Sequence, residues 1–321
     1  MKTSRSLFIA LLFSLASLPA LAQVNDTYVI PAAANQAGAF NTRWMTRFSI
    51  FNPHLDYTLK VSISFLPTGG SVGAEELVEL PPNSIAYSEN LIEDLFDRAG
   101  GGALLVATFA EDNPNVPDDV LSRSFLVTSD TYNNASSGTF GQTIPGVWTG
   151  LLDYDYDNIS SVAHGVRNFG AFRTNVGAVN LGRCSVNVLV NVYDADGNTI
   201  LNQAPLTVPP LGHIQDRLPV AFDRGSVEFF VSDPCSNDDD KYAVVFPYTS
   251  TIDQRTGDPA YQQPTLLASP GTVYAKKGQK IDPLAVGKKI DSTYARNVRA
   301  GLERRGTAHL TRTAEGWQIT K

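Results

Sequence analysis

The sequence predicts an all-β protein of two tandem sandwiches followed by a small basic helix and hairpin. Three observations carry that prediction: four short blocks occur twice in the same order, strand-period alternation recurs in each copy, and Pro, Gly, Asn and Asp punctuate the chain at short intervals. Thr46 to Asn52 (TRFSIFN) returns as Thr174 to Asn180 (TNVGAVN), and Val78 to Pro82 (VELPP) returns as Leu206 to Pro210 (LTVPP). Gly102 to Thr108 (GALLVAT) is matched by Gly225 to Val231 (GSVEFFV), and Phe125 to Ser129 by Phe246 to Ser250. Repeated sheet units mostly hold, bind or space things, so the duplication shifts the expectation away from catalysis.

Taken in order, residues 1–22 read as an export signal: Lys2 and Arg5, an apolar run from Leu7 to Leu18, then Ala20-Leu21-Ala22 before Gln23. That run is shorter than the roughly 20 apolar residues of a membrane helix. No Cys follows the cleavage site and no hydrophobic tail ends the chain, so the expectation is a secreted or periplasmic protein.

The first sandwich is expected over 23–135. Leu59, Val61, Ile63 and Phe65 alternate with Lys60, Ser62 and Ser64, the period of a strand with one buried face. Further strands are expected at Trp44 to Phe51, Leu77 to Leu80, Ala103 to Phe109 and Leu121 to Thr128, with a turn or two of helix around Glu89 to Arg98. Residues 136–160 read as an inter-domain linker whose Trp148, Leu151, Leu152, Tyr154 and Tyr156 make it sticky enough to pack between the modules.

The second sandwich is expected over 161–264. Val186, Val188, Val190 and Val192 alternate there with Asn187, Leu189, Asn191 and Tyr193. Its other strands are expected at Arg173 to Val179, Pro205 to Val208, Ser226 to Val231 and Tyr242 to Thr249. Pro81-Pro82 and Pro209-Pro210 end one strand in each copy, because proline lacks the backbone donor and fixes φ.

Residues 265–321 form a basic linker and tail. Ser292 can cap a helix running to about Arg305, and two short strands, His309 to Ala314 and Trp317 to Thr320, follow as a hairpin in which Leu310, Ala314, Trp317 and Ile319 share a face. Helix plus hairpin resembles a miniature winged helix, and Arg296, Arg299, Arg304 and Arg305 are candidate anion-binding residues.

Several segments resemble a family of secreted bacterial β-sandwich modules of immunoglobulin-like type, found singly or in tandem beside other extracellular domains. The likeness spans about residues 27 to 264. It lies in Tyr28-Val29-Ile30-Pro31-Ala32-Ala33 leading to Arg43-Trp44-Met45-Thr46 and Phe51-Asn52-Pro53, and in Phe172-Arg173-Thr174-Asn175, Tyr193-Asp194-Ala195-Asp196-Gly197 and Thr256-Gly257-Asp258-Pro259. The resemblance implies two tandem immunoglobulin-like sandwiches and carries no established activity or binding residues.

Charge is uneven. The 321-residue chain has a formal net charge of -7, yet from Gly271 onward 11 Lys and Arg stand against 4 Asp and Glu, leaving -14 on residues 1–270. An acidic body therefore bears a basic tail that can meet a polyanion or fold back on the body. The two cysteines, Cys184 and Cys235, both lie in the second copy beside turn-forming residues, and an exported chain predicts one disulfide between them.

Candidate sites are few. Asp153, Asp155 and Asp157 open like a calcium loop, but His164 stands at the twelfth position where a bidentate Glu is required, so the full motif fails; no cofactor is expected, and a looser calcium site between the modules is the alternative. There is no His-x-x-x-His pair and no Gly-x-Ser-x-Gly elbow. Tyr132, Trp148, Tyr154, Tyr156 and Tyr261 fall in expected loops or linker and are candidates for stacking on sugar rings.

The expected role is non-enzymatic: adhesion, envelope scaffolding or glycan binding at the cell exterior, with an envelope or extracellular glycan or protein as partner. The competing readings are a secreted hydrolase of polysaccharide or peptide, and an anionic-polymer or nucleic-acid binder acting through the tail.

Overall fold

Strands make up nearly all of the regular structure in the computed structural model, which describes residues 25–38, 42–70, 72–135, 138–147, 159–233, 244–268 and 292–320. The first copy contains β1 (Thr27–Ala37), β2 (Arg43–Asn52), β3 (Leu59–Pro67), β4 (Ala74–Leu80), β5 (Ser84–Ser88), α1 (Leu91–Phe96), β6 (Gly100–Thr108), β7 (Leu126–Ala135) and β8 (Gly138–Thr143). The second contains β9 (Ile159–Asn168), β10 (Phe172–Asn180), β11 (Val186–Asp194), β12 (Thr199–Val208), β13 (Gly212–Arg217), β14 (Phe222–Asp233), β15 (Val245–Asp253), β16 (Pro259–Gln262) and β17 (Thr265–Ala268). The tail supplies α2 (Ser292–Arg299), β18 (Glu303–Thr307), β19 (His309–Arg312) and β20 (Trp317–Thr320).

The duplicated blocks fall on equivalent strands. In the first copy the orders are β5-β2-β7-β8 and β4-β3-β6-β1; in the second they are β13-β10-β15-β16 and β12-β11-β14-β9. The first pair of rows is joined because β1 leaves β6 for β2 at Asn35, past an irregularity between Ile30 and Ala33 where Pro31 cannot donate to the ladder.

The duplication extends to side-chain chemistry. Asn52, buried at the end of β2, donates through Nδ2 to the carbonyls of Tyr57 (3.0 Å), Leu80 (3.1 Å) and Pro81 (3.0 Å) and accepts from His54 N. Asn180, buried at the end of β10, donates to Cys184 O (2.7 Å), Val208 O (3.5 Å) and Pro209 O (3.2 Å) and accepts from Gly182 N. Each asparagine satisfies the carbonyls left over where the Pro-Pro pair stops a ladder, which is why Asn and Pro-Pro recur together.

Three cores result. Tyr28, Ile30, Phe48, Ile50, Phe65, Leu104 and Val106 fill the first sandwich, and Val176, Ala178, Val188, Val190, Val227 and Phe229 fill the second. A third joins the copies: Val29, Leu105, Ala107 and Phe109 meet Val179, Leu181, Val244 and Phe246, with Ala295 and Val298 of α2. Because side chains alternate along a strand, β6 sends Leu104 and Val106 into the first core and Leu105 and Ala107 into the third. The outer face of β3, expected to meet solvent, is likewise covered, with Ser62 and Ser64 both buried.

The tail joins the first sandwich. β18 adds parallel to the free edge of β4 and β20 parallel to β5, while Ile319 enters the first core with Leu310 and Trp317 packed against it. The helix expected to reach Arg305 stops at Arg299, because Glu303 to Thr307 finds ladder partners on β4. Segments expected as linker also carry strands: Gly138 to Thr143 pairs with β7, and Thr265 to Ala268 pairs with β9. The strand expected from Leu121 begins at Leu126, the preceding residues forming hydrogen-bonded turns.

One glycine has a steric task. A Cβ on Gly177 would lie 2.3 Å from Cζ of Tyr248, whose ring crosses β10 at that point. We therefore expect Gly177→Ala to cost about 1–3 kcal/mol by overpacking, read as a lower urea midpoint at unchanged m-value. A loss within 0.5 kcal/mol, taken as the ordinary ~0.5 kcal/mol scatter of neutral substitutions, would show that Tyr248 is not held by that contact.

Candidate functional site

One face of the β13-β10-β15 sheet changes character along its length. Register places Val179, Gly177, Asn175 and Arg173 of β10 on the same face as Phe246, Tyr248, Ser250 and Ile252 of β15 and His213 and Gln215 of β13. At one end Val179 and Phe246 belong to the core joining the copies; toward the other the face turns polar and stands away from the first copy. The gap is a cleft of about 290 Å³, closed on the opposite side by Ala32, Ala33 and Ala34 of β1 with Gln36, Trp44, Thr131 and Gln142.

A directed hydrogen-bond chain forms its floor. The Tyr248 hydroxyl donates to Gln215 Oε1 (2.8 Å), so it must accept from His213 Nε2 (2.7 Å). His213 is then the Nε2–H tautomer, and its Nδ1 accepts from Thr68 Oγ1 of the first copy (2.7 Å). Burial pushes the imidazole down to about 3, so it is neutral at ordinary pH, and burial raises the Tyr248 phenol well above its usual value. Gln215, its carbonyl engaged, has its amide N–H groups left as donors. Gln142 and Ser250 bridge the copies with a 3.2 Å contact, and Asn133 Nδ2 donates to Gly257 O at 3.3 Å.

Chemically, the lining is amide, hydroxyl and indole, with one cation. Arg173 is half-buried, and its Nε is buried with no hydrogen-bond partner. Desolvation, then the like charge of Arg217, lowers the affinity of that guanidinium for its proton. No Asp or Glu lines the cleft among the described residues. A pair of carboxylates for glycoside hydrolysis is absent from that lining, and a neutral, doubly hydrogen-bonded His213 is a poor base at pH 7.

The residues singled out from sequence fall elsewhere. Tyr132 is buried instead of exposed: its hydroxyl donates to Glu89 O (3.0 Å) and Arg47 lies 4.7 Å from its ring centroid. Tyr261 is half-buried and stacks on Tyr248 at 5.6 Å with its hydroxyl enclosed, so neither ring offers a free face to a sugar. Both follow from the copies and loops closing on one another. Trp148, Tyr154, Tyr156, Asp153, Asp155 and Asp157 lie outside the described residues. Cys184 is half-buried against the second core, while Cys235 and the bridge expected between them also lie outside.

The tail arginines face the body. Arg299 is buried against Glu75 (Nε to Oε1 2.5 Å), pairs with Asp112, and lies 4.6 Å from the Phe109 ring centroid. Arg296 pairs with Glu111 (3.2 Å), Arg304 reaches Glu75 Oε2 (3.4 Å), and Arg305 donates to Phe96 O. Arg299 is buried out of reach of a polyanion, which would meet Glu111 beside Arg296 at the surface. Of the two outcomes open to a basic tail, folding back is the one observed.

The cleft residues were missed because Arg173 and Asn175 read as ordinary positions of an expected strand, while Gln215 lies on β13, where no strand was expected. Alternation marks the face, but not what stands opposite it.

Among the described residues no helix is long and apolar enough to cross a membrane, and no group of His, Cys, Asp and Glu could hold a metal ion. No protein family matches the chain. No curated protein matches it either. Among solved structures, the chain is similar to a protein of Parabacteroides distasonis proposed to be secreted, at 10% identity and TM-score 0.20 over 70% of this chain and 74% of that one. A superposition that loose carries no argument here about fold or function.

Proposed function

We propose that this chain is an exported, non-enzymatic binding protein of two tandem immunoglobulin-like sandwiches, and that the cleft between them seats a short saccharide. The observation that carries the reading is the cleft's lining. Gln36, Thr131, Gln142, Asn175, Gln215 and Ser250 offer paired donors and acceptors for sugar hydroxyls, and Trp44 offers an aromatic surface at the rim. About 290 Å³ is near the lower end of ligand pockets and suits one or two sugar rings. Adhesion or envelope scaffolding is the role such binding would serve. The polar floor and the absence of a carboxylate pair from the described lining favour binding over hydrolysis.

The test is calorimetric titration of the full chain with a panel of mono- and disaccharides, beside Trp44→Ala. The expected result is binding of at least one class, weakened about tenfold or more in the variant, as a lost stacking contact of about 1–2 kcal/mol implies. Binding by none, or hydrolysis of any panel member, would overturn the reading.

A further inference from the structure

Five arginines are not exposed among the described residues, and four of them have carboxylate partners. Arg98 pairs with Glu303, Arg123 with Asp26 and Asp118, Arg167 with Asp223, and Arg299 with Glu75 and Asp112. Arg173 has none, and its Nε is buried without an acceptor. It lies on the cleft, and Arg217 on the same sheet face adds repulsion. Even partly withdrawn from water, an uncompensated cation is costly, and a ligand carboxylate at the cleft would supply the missing partner. A guanidinium presents a planar fork of donors that matches a carboxylate in two parallel hydrogen bonds, a fit that no neutral sugar hydroxyl reproduces.

We infer that the cleft is specific for an acidic saccharide whose carboxylate is held by Arg173. This rests on the saccharide reading of the cleft and adds the chemical class. The amides at Gln142, Asn175 and Gln215 then take the ring hydroxyls, and the aromatic surface of Trp44 takes a ring face. Arg173 binds and orients; no bond is made or broken.

The experiment titrates the full chain with a glucuronate-terminated disaccharide, its neutral glucose counterpart and acetate, for the wild type, Arg173→Gln and Arg173→Lys. The expected result is a preference of tenfold or more for the acidic disaccharide, abolished by Arg173→Gln with neutral-sugar affinity unchanged, and only partly restored by Arg173→Lys. Equal affinity for the two disaccharides overturns the inference and leaves the saccharide reading standing. Failure of both disaccharides to bind overturns the two together, and acetate binding as tightly as the acidic disaccharide removes the sugar from the inference. A second measurement needs no ligand. Removing an unpaired cation should keep or raise the melting temperature of Arg173→Met. A fall of more than a few degrees would show that Arg173 has a structural counter-charge and overturn the proposal.

Discussion

Arg299→Met is expected to destabilise the chain by about 3–5 kcal/mol and to loosen the tail from the first sandwich. The substitution keeps the length of the side chain but leaves Glu75, almost wholly buried, with the Ser62 hydroxyl at 2.8 Å and Arg304 at 3.4 Å as its remaining partners. The Arg299–Glu75 contact is close, yet its angle does not make Nε–H a hydrogen bond, so the pair is held by charge more than by geometry. Glu75→Leu combined with Arg299→Met should recover most of the loss, since an uncompensated charge is the main cost and two apolar groups avoid it. Urea unfolding gives the free energies. Hydrogen exchange at β18 and β20, whose ladder partners outside the tail among the described residues are β4 and β5, reports release. A single variant within about 1 kcal/mol of wild type, with exchange unchanged, would sink the idea. Because the pair is buried, 0.5 M salt should weaken docking little.

Acid should destabilise the joint between the copies through His213. Its imidazole titrates near 6.5 when unfolded and at about 3 when folded, lowered by burial. Between those values the unfolded chain binds the extra proton. This contribution to stability is therefore full above pH 6.5, declines as pH falls at up to about 1.4 kcal/mol per unit, and approaches about 5 kcal/mol of loss near pH 3. Carboxylates add their own acid dependence below about pH 5, so the measurement is the difference between wild type and His213→Gln in urea unfolding at pH 7, 6 and 5. The wild type should lose stability faster than the variant from pH 6.5 to 5. Parallel profiles would show that the imidazole is solvated in the folded chain.

Much of each copy was legible in the sequence. Blocks such as TRFSIFN and TNVGAVN land on β2 and β10, and their terminal asparagines close the same carbonyls beside the same Pro-Pro stops. Those features are local: period-two alternation, a missing proline N–H, and an amide within reach of a nearby turn. The strands that were missed are β1, β5, β8 and β9, which are rich in Ala, Gly, Ser and Asn, and β13, β16, β17 and β18, which at four to six residues are too short for alternation to show. β1 is also buried along nine consecutive residues and carries no amphipathic signal.

The candidate site was less legible still. Arg173 is conspicuous only once four other enclosed arginines are seen to have partners, and Thr68 meets His213 across 145 residues of chain. The aromatic residues that drew attention, Tyr132 and Tyr261, lie on β7 and β16, where Arg47 and Glu89 of the same copy close over Tyr132 and Tyr261 packs against the core of the neighbouring copy. The sequence by itself determined the duplication, the all-β class, the ladder stops and the opposite charges of body and tail, since each depends on residues near one another in the chain. Only the tertiary structure decided that the copies share a core, that the tail completes the first sandwich, and that a polar cleft with one unanswered cation lies between them. Those outcomes depend on which sheet faces meet, and alternation gives every strand two faces without saying what will cover either.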